Sequence, residues 1–293
     1  MLLYRLFLVV DFLLMTLPKS WRKALFTSLA VLAHTFAPKR NKVIQQNLAF
    51  AFNQSLSEKE KGKIERYCYR NLALNLLQTM ENRRNSADEI ASCVTFKNRE
   101  KVDEILAQGR GIIFVSAHFG NWELGGAALS SLITPVASIY KGFSNQEFDP
   151  YLYEARSRHR MELAEKNGAL KHMAKTLKKN GSVLLMIDQA SNAKYGIQAD
   201  FFSHSAYHSS TAAHLASKFQ VPIVGVYILS EDEEHYTILF EDPIEVESSG
   251  EEAIIVATTK QVNAMEKMIK EHPKLWFWCH KRWKGEYKEI YAG

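Results

Sequence analysis

The stretch Gly111-Ile112-Ile113-Phe114-Val115-Ser116-Ala117-His118-Phe119-Gly120-Asn121-Trp122-Glu123 decides the fold of this 293-residue chain. Its apolar run from Ile112 to Ser116 favours a buried parallel strand, because a strand covered on both faces is apolar throughout. His118 then stands at the carboxyl end of the strand, where open α/β sheets bind their ligands. Gly120 lets the chain turn into a helix whose first turn contains Glu123. The stretch therefore predicts a strand, a tight turn that carries a histidine, and a helix.

The histidine and the carboxylate of this stretch are the first candidates for catalysis. Glu123 is close enough to accept a hydrogen bond from one imidazole nitrogen of His118, which leaves the other nitrogen free to act as a base. The alternative is structural, since a histidine near an apolar strand is often a core residue and the helix dipole alone favours a glutamate in the first turn. The spacing leaves both interpretations open.

Further strands and helices are predicted along the whole chain. Ser57-x-x-Glu60 is a capping box that opens a long helix through Met80. Apolar runs and periodicity predict strands at 112–116, 135–140, 182–187, 221–229 and 235–240, and helices at about 122–131, 149–166, 171–179, 208–219 and 252–271. The last two strands, joined by an acidic loop, predict an antiparallel hairpin. This alternation favours an α/β fold with a mixed, largely parallel sheet and helices on both faces.

The segment from His118 to Glu123 also resembles the H-x-x-x-x-D/E motif of glycerolipid-type acyltransferases, in the form found in the late, or secondary, acyltransferases of lipid A biosynthesis. Further similar segments follow in the family's order over most of the chain: Asn47-Leu48, Phe50 to Phe52, Ser57-Glu58-Lys59-Glu60, Arg156, Arg158, Leu177 to Gly181, Asp188-Gln189, Phe201-Phe202, Ala212 to Ala216, Pro222 and Trp278-Cys279-His280-Lys281-Arg282-Trp283. Two positions depart from it. Ser203 stands where the family usually carries glycine, and Ala190-Ser191-Asn192 is less acidic and less glycine-rich than usual.

The resemblance implies a fold and a reaction. The family is of the lauroyl/myristoyl acyltransferase type, and the resemblance implies a glycerolipid acyltransferase-like fold. It also implies transfer of a fatty acyl group from an acyl-carrier-protein thioester to a hydroxyl of a lipid A precursor of the Kdo-lipid A type. The expected location is the cytoplasmic face of the inner membrane, among its lipids, and no cofactor is required. His118 and Glu123 are the implied catalytic pair. The candidates for binding substrate or the oxyanion are Gly120, Asn121, Arg156, Arg158 and Asp188.

The residues themselves leave alternatives at several of these positions. Arg156 and Arg160 share a face of the predicted helix, where a solvated basic surface is the usual outcome. Asp188 ends an apolar run, so it either faces the crevice of His118 or caps a turn. His204 and His208 have a spacing of four, but no H-E-x-x-H pattern accompanies them, and no metal site is expected. The usual motifs of serine hydrolases, P-loop enzymes and dinucleotide enzymes are missing.

Residues 1–37 predict a membrane anchor followed by an interfacial amphipathic helix. The segment from Leu2 to Leu17 is largely apolar, but it is short for a span of about 20 residues, and Asp11 near its middle is costly in hydrocarbon. Lys19, Arg22 and Lys23 follow it and would stay on the cytoplasmic side. A second apolar stripe recurs at helical spacing: Trp21, Leu25, Leu29, Leu32 and Phe36. The alternative is a hydrophobic helix packed on the soluble core.

Residues 38–293 predict a single acyltransferase domain, because no linker, charge block or internal repeat divides them. Three widely spaced cysteines argue against a disulfide framework or a zinc site. The net charge of +5 suits an anionic membrane surface, a negatively charged substrate or an acidic carrier protein, whereas nucleic acid is the weaker interpretation. Two other functions stay open: an acyltransferase for a glycerophospholipid or a mannosylated glycolipid, and a non-catalytic membrane lipid-binding protein.

Overall fold

A seven-stranded, mostly parallel sheet is the largest sheet in the part of the chain that the computed structural model describes, which is residues 2–53, 55–142 and 145–292. The strands are Val94–Lys97 (β1), Ile113–Ser116 (β2), Val136–Tyr140 (β3), Met161–Glu165 (β4), Ser182–Met186 (β5), Gly196–Phe201 (β6), His204–Ser209 (β7), Ile223–Leu229 (β8) and Tyr236–Phe240 (β9). Their order in the large sheet is β1-β9-β8-β2-β5-β3-β4, and β6 and β7 form a separate antiparallel hairpin.

Helices cover both faces of the large sheet. They are Leu2–Thr16 (α1), Lys19–Thr35 (α2), Pro38–Ala51 (α3), Glu58–Asn82 (α4), Ala87–Ala91 (α5), Arg99–Ala107 (α6), Trp122–Ala128 (α7), Asp149–Ser157 (α8), Ala169–Leu177 (α9), Thr211–Phe219 (α10) and Glu251–Glu271 (α11). Successive residues of β2 enter different cores: Ile113 and Val115 join the cluster on one face, and Phe114, with Ile112 just before the strand, joins the cluster on the other. The predicted α/β class with a mixed, largely parallel sheet is therefore confirmed.

Strand β2 lies in the middle of the sheet, parallel to β5 on one side and to β8 on the other. Its first two residues are fully buried, as the continuous apolar run predicts. Strands β8 and β9 pair antiparallel, so the predicted hairpin is confirmed. The carboxyl ends of β2 and β5 therefore lie side by side, and the residues that follow them meet at one edge of the sheet.

One predicted helix is wrong in its second half. Helix α8 ends at Ser157, and Met161–Glu165 forms an edge strand parallel to β3. The chain reverses at Arg160, whose φ of +63° is incompatible with a continuing right-handed helix. Arg156 and Arg160 therefore do not share a helix face, and the prediction that they do is wrong.

The hairpin of β6 and β7 was not predicted. His204 and His208 both lie on β7, where the Nε2 atom of His204 contacts the carbonyl of Phe50 at 2.9 Å and His208 lies against Arg282. The turn between the strands places Phe202 and Ser203 at φ of +55° and +62°. Two residues with positive φ match the twist of a tight hairpin, although glycine and asparagine usually supply them. The family's usual glycine at position 203 would adopt this conformation without steric cost.

Helices α1 and α2 pack against the rest of the protein through one face. Asp11 is 1% exposed and is the buried residue of α1, while Phe26 and Ala30 of α2 enter the main core. The other face of both helices is exposed and apolar: Leu2, Leu3, Leu6, Val9, Val10, Phe12, Leu13, Trp21, Leu25, Leu29, Val31, Leu32 and Phe36. Among the residues that the structure describes, none of the helices combines the length and the apolar character needed to cross a bilayer. Association of these helices with a membrane, and a domain boundary at residue 37, stay predictions.

Candidate active site

The turn after β2 requires a glycine. Gly120 has a φ of +57°, and a Cβ atom at this position would lie 2.2 Å from the carbonyl oxygen of Ile228. Its own carbonyl accepts hydrogen bonds from the side-chain amides of Asn71 and Asn75 on α4, both at 3.0 Å. Its N–H donates to the carbonyl of Leu275 at 2.9 Å. The polar backbone groups of Gly120 are thus all paired within the protein.

Residues 275–283, here called the C-terminal segment, lie beside this turn, and part of the segment runs antiparallel to it. Phe119 and Trp276 form an isolated β-bridge, and the N–H of Phe277 donates to the carbonyl of His118 at 2.9 Å. The rings of Trp122 and Phe277 lie beside the imidazole, with centroid distances of 5.4 Å and 6.3 Å. The histidine is therefore held between two aromatic side chains on a backbone fixed by α4 and by the C-terminal segment.

The partner of His118 is Asp188, which follows β5 at the same edge of the sheet. The Nδ1 atom of His118 lies 3.0 Å from Asp188 Oδ1, and the main-chain N–H of His118 donates to Asp188 Oδ2 at 3.1 Å. The indole N–H of Trp276 donates to the same Oδ2 atom, also at 3.1 Å. Asp188 is buried, whereas the side chain of His118 is 26% exposed. The Nε2 atom of the imidazole has no hydrogen-bond partner in the described part of the chain.

These contacts change the pKa values of both groups. Burial alone would lower the pKa of His118, but the charge of Asp188 and its hydrogen bond outweigh this effect and raise the pKa above the usual value. Burial would likewise raise the pKa of Asp188, yet the charge of His118 and the hydrogen bonds from His118 and Trp276 lower it. Asp188 therefore stabilises a protonated imidazole and directs the neutral tautomer to carry its proton on Nδ1.

Glu123 does not bond to His118, and the pairing inferred from the sequence needs correction. The Glu123 carboxylate accepts two hydrogen bonds from Arg156 on α8, from Nε at 3.0 Å and from Nη2 at 2.5 Å. It also accepts the indole N–H of Trp122 at 3.2 Å. A planar guanidinium binds a carboxylate with two parallel hydrogen bonds, which is a stronger arrangement than one bond to an imidazole. The catalytic role of Glu123 stays a prediction.

The other predicted site residues have separate environments. The N–H of Gly120 is already bonded to Leu275, so this amide is not available to an oxyanion. Asn121 caps α7, because its side-chain oxygen accepts the N–H of Leu124 at 3.1 Å. Arg158 points away from the turn, toward the carbonyl oxygens of Arg84 and Asn85 at 3.5 Å. The structure thus groups Gly120, Asn121, Arg156 and Asp188 around His118 and Glu123, and it places Arg158 elsewhere.

A narrow apolar cleft opens next to Trp122, and the space inside it that a water molecule could occupy is about 30 Å³. Its walls come from α7 and from the carboxyl halves of the neighbouring strands: Ser116, Trp122, Gly125, Gly126, Leu129, Leu184, Met186, Val226, Tyr227, Ile228 and Ile238. Gly125 lines it with no side chain, and a Cβ atom there would lie 3.3 Å from Ile228. The cleft suits an apolar chain better than a polar ligand.

Sequence reasoning missed the residues that hold the turn and the aspartate. Asn71, Asn75, Trp276 and Phe277 each contact the turn or Asp188 from distant parts of the chain. The two asparagines lie four residues apart on α4, at positions that the helical periodicity assigns to its buried face. Buried amides on a helix were the one local signal that pointed to a polar contact there.

Comparison with known proteins gives a family match over most of the chain. Residues 2–285 match the model of the family described as bacterial lipid A biosynthesis acyltransferase. The chain is 24% identical over 260 residues to the lipid A biosynthesis palmitoleoyltransferase of Escherichia coli (strain K12). The aligned residues cover 88% of this chain and 83% of that protein. The chain is also 24% identical over 258 residues to the lipid A biosynthesis lauroyltransferase of the same organism, covering 87% and 83%. The chain belongs to the bacterial lipid A biosynthesis acyltransferase family, and it is an acyltransferase.

Proposed function

We propose that the protein transfers a fatty acyl group from an acyl-carrier-protein thioester to a hydroxyl of a lipid A precursor, at the cytoplasmic face of the inner membrane, with His118 as general base. One observation carries the mechanism: the buried carboxylate of Asp188 binds Nδ1 of His118 and leaves Nε2 without a partner among the described residues. Nε2 is then the atom that faces the substrate hydroxyl.

The reaction follows from this geometry. Nε2 of His118 removes the hydroxyl proton as the alcohol oxygen attacks the thioester carbonyl, and Asp188 stabilises the imidazolium that forms. The tetrahedral intermediate collapses, the carbon–sulfur bond breaks, and the thiolate of the carrier takes the proton back from His118. The main-chain N–H of Asn121 at the start of α7 stays the predicted donor to the oxyanion. No redox step is involved.

The apolar cleft beside Trp122 supports an acyl substrate. Its lining includes Trp122, which lies beside His118, and Leu184 and Ile238 of the sheet, and its walls carry few polar groups. Because this space is small, the walls must move apart to admit an acyl chain, which would enter at Trp122, beside the imidazole. The resemblance of the chain to lipid A acyltransferases then supplies the acceptor, a hydroxyl of a lipid A precursor.

The exposed apolar faces of α1 and α2 support attachment to a membrane surface. Leu2, Leu6, Phe12 and Phe36 are between 58% and 84% exposed, as is usual for the lipid-facing side of an interfacial helix. Some basic residues that could add electrostatic attraction are already paired, since Arg22 lies 3.1 Å from Glu81 and Lys23 lies 3.4 Å from Glu234. Apolar contact is therefore proposed as the main source of attachment.

The first experiment measures acyl transfer to a purified lipid A precursor by mass spectrometry. His118→Ala is expected to lower turnover by roughly 100-fold to 10,000-fold, because it removes the general base. His172→Ala is the matched control, since His172 is a surface histidine paired with Glu162. Turnover of His118→Ala equal to the wild type would refute the mechanism. In cells that lack the protein, loss of an acyl group from lipid A supports the proposed acceptor, and a change confined to phospholipids contradicts it.

A second experiment tests the attachment. Deletion of residues 1–17 removes α1 and is expected to weaken retention in the membrane pellet at both low and high salt, because salt screens charges but not apolar contact. If the truncated protein stays in the pellet at high salt, the attachment lies elsewhere in the chain.

A further inference from the structure

A buried carboxylate joins the apolar helix α1 to the body of the protein. Asp11 is 1% exposed, and its oxygens contact Arg84 Nη2 at 2.5 Å, Arg83 Nη1 at 3.5 Å and the hydroxyl of Tyr151 at 2.7 Å. The ring of Phe7, one helical turn earlier, packs against Tyr151 with a centroid distance of 4.9 Å. Burying an aspartate in an apolar helix is unfavourable unless its charge is matched, and here two arginines match it.

Helix α8 connects this cluster to the active site. Tyr151 of α8 contacts α1 through its hydrogen bond to Asp11. Tyr151 and Glu154 also contact Arg83 at the end of α4: Glu154 accepts a hydrogen bond from Arg83 Nη2 at 2.5 Å, and the Arg83 guanidinium lies 4.2 Å from the centre of the Tyr151 ring. Arg156 lies two residues beyond Glu154 and binds Glu123. A helix of nine residues moves as one unit, so the contacts of Tyr151 and Glu154 also set the position of Arg156.

The end of α4 provides a second connection between Asp11 and Glu123. The side-chain amide of Asn82 donates to the carbonyl of Glu123 at 3.0 Å, and the Nε2 atom of His159, just beyond α8, contacts the carbonyl of Asn82 at 2.9 Å. Arg83 and Arg84, which hold Asp11, follow Asn82 directly. The binding sites for Asp11 and for Glu123 therefore lie on adjacent residues of one segment.

We propose that Asp11 is a positioning residue for the acyl transfer: it fixes α8 against α4 so that Arg156 stays bound to Glu123 beside the catalytic turn. This role rests on the proposed function, because it acts through the general base His118. It also gives the apolar helix α1 a part in the active site, in addition to any contact with lipid.

The charges around His118 make this role measurable. The groups that face the imidazole are Asp188 after β5, Glu123 on α7, Arg156 on α8 and His280 from the C-terminal segment. Arg156 neutralises Glu123 while the two are paired. If α8 shifts and Arg156 leaves, the charge of Glu123 is no longer compensated, and it favours protonation of His118.

The experiment follows the titration of His118 by NMR in the substrate-free protein, with the signal assigned by its loss in His118→Gln. Asp11→Asn is expected to raise the midpoint of the titration by about 0.5 pH unit, a partial loss of charge compensation. In the acyl-transfer assay this shift lowers kcat/KM about threefold at pH values below the midpoint, since only the neutral base reacts, and the defect disappears at high pH.

Two further variants separate positioning from a general loss of structure. Asp11→Glu retains the charge, so we expect its titration midpoint to lie between the midpoints of the wild type and of Asp11→Asn. Glu81→Gln is the matched control, because it breaks a partly buried ion pair with Arg22 that joins α2 to α4 and has neither partner on α8. An unchanged midpoint in folded Asp11→Asn, or an equal shift in Glu81→Gln, overturns the proposal.

The NMR measurement needs no substrate, so it separates the two proposals. If the wild type fails to acylate lipid A, the proposed function fails, and the titration still reports whether Asp11 sets the environment of His118. If Asp11→Asn does not fold, Tyr151→Phe replaces it, because this variant removes only one hydrogen bond to Asp11. A smaller shift in the same direction is then expected, and no shift overturns the proposal.

Discussion

Replacing Asp188 by asparagine tests which carboxylate serves the catalytic histidine. The substitution keeps the size of the side chain and removes the negative charge next to His118 Nδ1. A neighbouring opposite charge shifts a histidine pKa by about 1–3 units, and each unit corresponds to about 1.4 kcal/mol. We therefore expect the pKa of His118 to fall by about 1 unit or more.

The effect on the rate has a definite sign. His118 acts as a base only when it is neutral, and Asp188 raises its pKa, so wild-type kcat/KM falls as the pH drops below a midpoint higher than the usual value of about 6.5. In Asp188→Asn this midpoint moves to lower pH. The plateau at high pH falls by about 100-fold or more, since the variant no longer stabilises the imidazolium. The amide also cannot accept all the hydrogen bonds that His118 and Trp276 now donate, which lowers stability by about 1–3 kcal/mol.

The assay is the pH dependence of kcat/KM with an acyl-carrier-protein donor and a lipid A precursor, together with thermal unfolding of each variant. Glu123→Gln is the comparison, because it neutralises the other carboxylate without touching Nδ1. We expect it to lower the rate and to move the midpoint less than Asp188→Asn does. If Asp188→Asn keeps the wild-type midpoint while Glu123→Gln moves it by 1 unit or more, Glu123 is the catalytic partner and the reasoning from the structure is refuted.

Three further predictions concern the cleft, a turn and a buried histidine. Gly125→Leu fills the cleft beside Ile228, so activity with long acyl donors should fall far more than activity with short ones; an equal loss across a donor series would place the acyl chain elsewhere. Ser203→Gly relieves a positive φ and should raise stability by about 0.5 kcal/mol, seen as a higher urea midpoint, whereas a lower midpoint contradicts the strain. Burial and the neighbouring Arg282 lower the pKa of His208 to about 3, so the folded state stays unprotonated there while the unfolded state gains a proton below about pH 6.5. Acidification from pH 7 to pH 5 should therefore lower the free energy of unfolding of the wild type by about 2 kcal/mol more than that of His208→Gln, as measured by urea unfolding at the two pH values.

Local sequence signals predicted the central part of the fold. The apolar run before His118, the glycine after it and the acidic loop after Leu229 each indicate their structure within about ten residues. Met161–Glu165 was missed because its residues follow a helix without a glycine or proline between them, and only pairing with β3 makes them a strand. The hairpin at Phe202 and Ser203 was missed because neither residue type usually adopts the positive φ that a two-residue hairpin turn requires.

The site was predictable only in part, for a related reason. The position of His118 at a strand end follows from the order of residues along the chain. The choice between Glu123 and Asp188 as its partner depends on the direction of each side chain, and Arg156 settles that direction by binding Glu123 more strongly. Trp276 and Phe277 lie more than 150 residues beyond the turn, so no local pattern could connect them to it.

The pairing of Gly120 with distant parts of the chain limits how the catalytic turn can open. Its N–H is bonded to Leu275 and its carbonyl to two asparagines of α4, so no motion of the turn alone exposes the amide to water. Hydrogen exchange at the Gly120 amide requires the C-terminal segment to separate from the turn. This amide should therefore exchange as slowly as amides of the protein core, and not as fast as those of a surface loop. A chain cut before Leu275 would therefore lose its catalytic geometry at a turn more than 150 residues upstream, with every residue of that turn still present.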